Sequence, residues 1–361
     1  MSEKYKVGIL GATGTVGQRF ISLLEDHPQL VVHKLGASSR SSGKPYYQSV
    51  RWKMTVPIPE GVKNLVVEEC VPEAFKDCDV VFSGLDSSVA GQIEKAFTEA
   101  DLAVFSNAKN YRQDPQVPLV VPTANPEHLD FIPNQKQIRN LNKGFLVTNA
   151  NCSVTGLAVV LRALENAFGP ISQVIITTLQ AISGAGYPGC SALDLIDNVV
   201  PFIGDEEDKI ELEPLKILGG VHSDGQQFQH LSHMTVSASV NRVPVVDGHT
   251  EAVSIKFASG NKPTPQQIID ALDQYRTECQ DLGCFSAPEK AIVVSLDEDR
   301  PQPRLDRMNG KGNAVTVGRI RECPIFDVKF TLLVHNTILG AAGSSILNAE
   351  IAIAKGYLQK Q

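Results

Sequence analysis

The feature that most restricts this chain is a strand, a glycine-spaced turn and a helix at its very start. Lys6-Val7-Gly8-Ile9-Leu10 is a short apolar run, Gly11-Ala12-Thr13-Gly14-Thr15-Val16-Gly17 follows, and Val16, Phe20, Leu23 and Leu24 then recur at helical spacing. Glycines so placed permit a tight turn and let N–H groups at a helix N-terminus approach a pyrophosphate. A glycine triplet alone is weak evidence, and a purely structural turn is the alternative. The strand before it and the helix after it favour a dinucleotide site. The rhythm continues with strand runs at 30–35, 80–82 and 102–105 and a helical stretch at 90–97. Strands alternating with helices imply parallel βαβ units, so residues 1–150 are expected to form a Rossmann-type, doubly wound parallel sheet in an α/β fold.

Past residue 150 the pattern changes. Five strand-like runs (174–179, 234–240, 252–257, 291–294 and 326–334) are separated by long polar connections, with helices only near 156–167 and 265–282. That pattern suggests an α+β catalytic and oligomerisation domain over 151–335, built on a mixed or antiparallel sheet. Residues 297–313 mix acids with Arg300, Arg304 and Arg307, hold two prolines and read as a mobile surface loop. The Ala- and Ile-rich stretch 340–358 has helical spacing and is expected to pack back on the first domain, which 336–361 would complete.

A chain of 361 residues is comfortable for two domains. The net charge of −7, without a basic run, argues against nucleic-acid binding. No apolar stretch approaches the length of a membrane span, and no signal region precedes the first strand, so the expected address is the cytoplasm. Seven scattered cysteines do not form a disulfide framework. Cys279 with Cys284, and the loose group His222, His230 and His233, lack the partners of a recognised metal spacing; no metal is expected.

Three segments carry chemistry. The second strand ends in Ala37-Ser38-Ser39-Arg40-Ser41, without the acid that usually greets a ribose 2′-OH. Hydroxyls and a guanidinium suit a 2′-phosphate, which favours NADP over NAD, although a solvated basic loop reads the same way. Asn149-Ala150-Asn151-Cys152-Ser153 follows a strand and opens a helix. Helix dipole and free N–H groups there lower a thiol's pKa and can hold an oxyanion, which makes Cys152 a candidate nucleophile. His249 is presented just before a strand as its candidate base, only slightly ahead of seven other histidines.

Taken with Ser106-Asn107-Ala108-Lys109-Asn110-Tyr111-Arg112, Leu179-Gln180-Ala181-Ile182-Ser183-Gly184-Ala185-Gly186, Glu213-Pro214-Leu215-Lys216-Ile217-Leu218-Gly219 and Arg242…Gly248-His249, these motifs resemble the aspartate-semialdehyde dehydrogenase family, in its archaeal and fungal branch. The resemblance covers nearly the whole chain and implies a homodimer or homotetramer making aspartate-derived amino acids. It implies Cys152 as nucleophile, His249 as acid/base and Gln180 orienting the acyl group. Arg242 would clamp the substrate carboxylate and Glu213 the amino group, while Lys216 and Arg112, beside Asn151, would form the phosphate site. Coenzyme contacts would come from Gly11, Thr13, Gly14, Thr15, Val16, Ser38, Ser39, Arg40, Ser83, Gly84, Ser183, Gly184, Asn336 and Gly343. Related reductases of N-acetyl-glutamyl phosphate or malonyl-CoA, and a silent NADP-binding regulator, share parts of this set.

Overall fold

A computed structural model describes residues 3–260 and 262–360. The first half of the chain builds a seven-stranded sheet from β1 (Tyr5–Leu10), β2 (Leu30–Ala37), β3 (Val67–Glu69), β4 (Val80–Ser83), β5 (Ala103–Ser106), β6 (Leu119–Val120) and β7 (Phe145–Asn149). All its pairings are parallel, in the order β3-β2-β1-β4-β5-β7-β6. β4, β5 and β7 are buried along their whole length, as strands covered by helices on both faces must be. Phe20, Phe82, Phe105 and Phe145 form an aromatic chain through this core. The strand order reverses between β1 and β4, and the crevice beyond their carboxyl ends is where such sheets bind ligands. The edge strands β3 and β6 span three and two residues, too short to show a period in sequence.

The second half forms β8 (Ile171–Gln180), a small hairpin of β9 (Gly220–Val221) and β10 (Phe228–Gln229), then β11 (Thr235–Arg242), β12 (His249–Phe257), β13 (Ile292–Val294), β14 (Val315–Glu322) and β15 (Val328–Val334). Its six-stranded sheet runs β11-β8-β12-β15-β14-β13 with both parallel and antiparallel pairs, the mixed sheet expected. β8 alternates buried and exposed residues, so one face packs on a core and the other is open. β14 was not among the expected runs: Gly318 and two arginines interrupt its alternation.

Four of the longer helices contribute residues to the clefts described below, α1 (Thr15–Leu24), α2 (Ser87–Glu99), α3 (Cys152–Phe168) and α4 (Glu206–Ile217), and α5 (Gly343–Ala354) follows β15. α3 starts three residues after the first sheet's β7 yet buries its body in the second core, with Leu157, Val160 and Leu164 fully inside. It therefore joins the two halves. α5 returns to the first core through Ile346, Leu347 and Ile351. The stretch 297–313 is not a free loop. Its turns at Pro303–Asp306 and Asn309–Gly312 are pinned by Asp306, which is buried, pairs with Arg300 and accepts from the Gln302 amide at 2.6 Å. A carboxylate at the centre of a loop, satisfied by that loop's own arginine and amide, orders what composition alone leaves open.

Candidate active site

The glycine turn delivers what its spacing promised. Gly11 adopts φ +73, and a Cβ there would lie 2.7 Å from the Gly84 carbonyl oxygen. A Cβ on Gly17 would meet the Gly11 oxygen at 2.3 Å, so α1 packs directly on the turn. Gly14 caps α1 without a side-chain hydrogen bond, leaving its N-terminus facing the crevice. Gly11, Thr13, Gly14, Thr15, Val16, Ser38, Gly84, Ser183, Gly184 and Asn336 all line one cavity of about 980 Å³. A glycine cradle, an uncapped helix end and hydroxyls at the end of β2 fit a phosphorylated dinucleotide.

Four expected coenzyme contacts do not line this cavity. Ser39 and Arg40 sit exposed on the turn closed by Ser41 N–H donating to Ser38 O, and do not line the cavity. Ser83 is fully buried behind it, where its backbone carbonyl accepts from Asn107. Gly343 is likewise off the cavity; a Cβ there would press on Asn313 at 2.6 Å. Gly340 and Ala341, which carry no motif in the sequence, do line it. They lie in a π-helical turn (Ile338–Ala342), which brings Gly340 so close that a Cβ on it would stand 3.0 Å from the Cβ of Cys152.

Cys152 opens α3 and lines both this cavity and a second, of about 690 Å³, in the other half. Its Sγ stands 3.1 Å from His249 Nε2. The Ala181 amide donates to His249 Nδ1 at 3.0 Å, so the neutral ring carries its proton on Nε2 and donates toward the sulfur. Burial, with Arg242 and His335, pushes the His249 pKa down to about 3. Burial, and then Glu206, pushes the Cys152 thiol up to about 12 against the pull of Arg112 and Arg242. The lowered thiol pKa expected at a helix N-terminus is thus outweighed by desolvation. Asn151 Oδ1 accepts from the Ser153 and Val154 amides, so these two N–H groups are taken by the cap rather than free for an oxyanion.

Gln180, Arg242 and Glu206 line the second cavity beside Cys152. Arg242, at the end of β11, donates to the Ala181 carbonyl at 2.6 Å. Gln180, at the end of β8, donates to Glu206 Oε2 at 3.3 Å, and Asn151 Nδ2 donates to the same oxygen at 2.8 Å. Lys209 pairs with Glu206 Oε1 at 2.7 Å. Burial works to raise the Glu206 pKa, but Lys209 and the two amides bring it below its ordinary value, so it is a carboxylate. Glu206 and Lys209 were not singled out from sequence.

Glu213 and Lys216 were, and they lie one layer further back. Glu213 is buried with both oxygens engaged, by the Asn151 amide at 2.6 Å and Arg112 at 3.0 Å. Lys216 has no exposed surface, and its ammonium donates to the carbonyls of Arg112, Asp114 and Val117. Neither reaches a cavity wall, whereas Arg112 does. Among the described residues no group of three or more His, Cys, Asp or Glu side chains converges as a metal site.

A nucleotide crevice on a parallel sheet, meeting a cysteine–histidine pair and a second, charged cavity, fits a dehydrogenase acting at the aldehyde level. Residues 6–132 match the family model described as semialdehyde dehydrogenase, NAD binding domain, and residues 161–339 its dimerisation domain. An aspartate-semialdehyde dehydrogenase of Cryptococcus neoformans is 59% identical over 358 residues, 98% of each chain. One from Methanothermobacter thermautotrophicus is 47% identical over 347 residues, 96% of this chain and 98% of that one. The crystal structure of the Candida albicans aspartate semialdehyde dehydrogenase with NADP superposes with a TM-score of 0.92 at 53% identity, covering 98% of this chain and 99% of the other. The chain belongs to the aspartate-semialdehyde dehydrogenase family.

Proposed function

We propose that this protein uses NADPH to convert L-aspartyl 4-phosphate into L-aspartate 4-semialdehyde and phosphate, through a thioester on Cys152, in the biosynthesis of lysine, methionine, threonine and isoleucine. The observation that carries this reading is the position of Cys152: its side chain borders the glycine-turn cavity on one side and a cavity walled by Arg242 and Glu206 on the other.

In the substrate cavity the planar fork of Arg242 binds the α-carboxylate, and Glu206 takes the α-ammonium. Lys209 and Arg112, which line the glycine-turn side of Cys152 with Asn151, hold the phosphate. Gln180 orients the acyl oxygen. Glu213 and Lys216 act from behind, the first by fixing Arg112 and the Asn151 amide, the second by tying together the backbone of 112–117.

The sulfur of Cys152 attacks the acyl carbon; a C–S bond forms, the C–O bond to phosphate breaks, and the thiol proton leaves on the phosphate. Gly11, Thr13, Gly14, Thr15, Val16, Ser38, Gly84, Ser183, Gly184 and Asn336 would hold NADP, which in its reduced form supplies the hydride. His249 Nε2–H, first aimed at the sulfur, then faces the oxyanion of the hemithioacetal. That oxyanion collapses to aldehyde and Cys152 thiolate, which accepts the Nε2–H contact and then takes up one proton from solvent to restore the thiol. His249 therefore serves as a neutral hydrogen-bond donor throughout, because protonating it would set Nδ1–H against the Ala181 N–H.

A homodimer fits the open face of the second sheet, where Ile175 and Leu179 are exposed; Leu193, Ile196 and Phe202 are exposed as well. Seven free thiols fit a reducing compartment, the cytosol. No helix among the described residues is long and apolar enough to cross a membrane. The decisive assay is phosphate-dependent NADPH formation from aspartate semialdehyde, absent in Cys152→Ala. NADPH formation without phosphate, or only from an N-acylated or CoA-linked substrate, overturns the reading.

A further inference from the structure

Two cations stand on the wall of the coenzyme cavity that the glycine turn does not explain. Arg51 and Lys53 line it together with Ser38 and Ser49, although nothing in their sequence context marks them. Their place is fixed by the fold. Gln18, on α1 and almost wholly buried, donates through Nε2 to the Arg51 carbonyl at 3.2 Å and accepts from the Lys53 amide at 2.6 Å. The same Nε2 also reaches the Thr13 carbonyl at 2.9 Å, so one side chain ties residues 51–53 to the coenzyme turn itself. Two residues earlier, Ser49 Oγ donates to the Ser41 carbonyl at 3.1 Å, which docks the segment against the loop following β2.

Opposite them, Tyr187 reaches over from the second half of the chain. Lys53 Nζ lies 4.3 Å from its ring centroid. The approach of Arg51 to its hydroxyl, and then the charge of Lys53, hold the phenol below its ordinary pKa. Among the described residues no carboxylate pairs with Arg51 or Lys53. In a parallel nucleotide-binding sheet the pyrophosphate belongs to the first turn, and the adenosine ribose to the end of the second strand. A second anionic group beside Ser38 therefore meets two unneutralised cations whose backbone is already held in place. Arg40 is exposed as they are, but it sits on the turn after Ser38 and does not line the cavity.

We propose that Arg51 with Lys53, rather than Arg40, forms the cationic half of the site for the coenzyme 2′-phosphate, with Ser38 as the hydroxyl half and Tyr187 as the buttress that keeps the two cations side by side. This deepens the NADP reading and rests on it. Arg51 supplies a planar fork for two phosphate oxygens, and Lys53 a point charge.

The test is calorimetric titration of the full chain with adenosine 2′,5′-bisphosphate and, separately, with 5′-AMP, at fixed ionic strength. Arg51→Ala is expected to weaken the bisphosphate about ten- to a hundredfold, the loss of one charge-assisted contact, while leaving 5′-AMP unchanged. Arg51→Lys should fall in between, Lys53→Ala should lose less than Arg51→Ala, and Arg40→Ala should lose least. Thermal melts that match wild type confirm that the exposed substitutions leave the fold intact. An Arg51→Ala protein that binds the bisphosphate like wild type, loses both ligands equally, or is outdone by Arg40→Ala overturns the proposal while the NADP reading stands. A wild type that binds the bisphosphate no tighter than 5′-AMP instead removes the NADP reading, and this proposal with it.

Discussion

Glu206 and Glu213 lie on one helix, and the structure makes opposite forecasts for them. Glu213 has no spare acceptor: one oxygen holds the Asn151 amide and the other Arg112, and the side chain is 2% exposed. Glu213→Ala leaves a buried guanidinium and a buried amide without their anion, a loss of about 3–5 kcal/mol of folding stability for breaking such a pair. Its damage to catalysis should be indifferent to the substrate's amino group. Glu206 faces the cavity and is partly neutralised by Lys209, so Glu206→Gln keeps the shape and removes the charge that an ammonium meets. Removing one charge-assisted hydrogen bond corresponds to about 1.5–3 kcal/mol, or about ten- to a hundredfold in kcat/KM. That loss should appear with aspartate semialdehyde and vanish with a des-amino analogue. The assay is a pair of kcat/KM ratios, amino over des-amino, for wild type, Glu206→Gln and Glu213→Gln, alongside urea midpoints for Glu213→Ala. A ratio that falls in Glu213→Gln and holds in Glu206→Gln would show that the cavity-facing carboxylate is not the ammonium partner.

The same geometry sets four further outcomes. With His249 neutral down to about 3, kcat/KM for aspartate semialdehyde should show no acid limb near the ordinary histidine pKa of about 6.5; a limb there, lost in His249→Gln, would mean that the ring titrates. Burial also depresses His128 to about 3 and His335 to about 4. These groups stay neutral in the folded protein while the unfolded chain takes up protons below about 6.5, so urea midpoints should fall as pH drops from about 6.5 toward 4. A midpoint flat over that window refutes it. Burial works to raise the Cys323 pKa, but the Phe326 and Ile325 amides bring it below its ordinary value, whereas Cys152 is pushed up to about 12. Iodoacetamide at neutral pH should therefore label Cys323 before Cys152 in the protein without substrate, as peptide mapping over time would show. Gly340→Val places bulk against Cys152 and should abolish thioester formation, read by mass spectrometry of the acylated chain, while leaving 5′-AMP binding intact.

The glycine turn and Cys152 were legible in the sequence because their constraints are local: a strand, a turn and a helix start within a few residues of one another. Glu206 was missed for a different reason. Glu206-x-x-Lys209 and Glu213-x-x-Lys216 repeat one spacing seven residues apart, two helical turns, so both pairs share a face of α4 about 10 Å apart along its axis. Sequence shows the face but not the depth, and depth decides which pair meets the cavity and which supports it. Arg40 follows Ser38 closely in sequence, yet the fold leaves it off the cavity wall. Arg51 and Lys53 come to the site through Gln18, a tertiary contact with no local signature. β14 and the ordered 297–313 stretch depended on pairing and on a buried Asp306, again settled at a distance.

The double exposure of Cys152 also bears on inhibition. Cys152 lines two compartments of different chemistry, one walled by Arg242 and Glu206 and one by the glycine turn. An electrophile on an amino-acid scaffold and another tethered to an adenosine fragment would compete for the same covalent bond from opposite directions. Substitutions that close one route leave the other open, so a single linked molecule spanning both compartments asks the target to alter two unrelated walls at once.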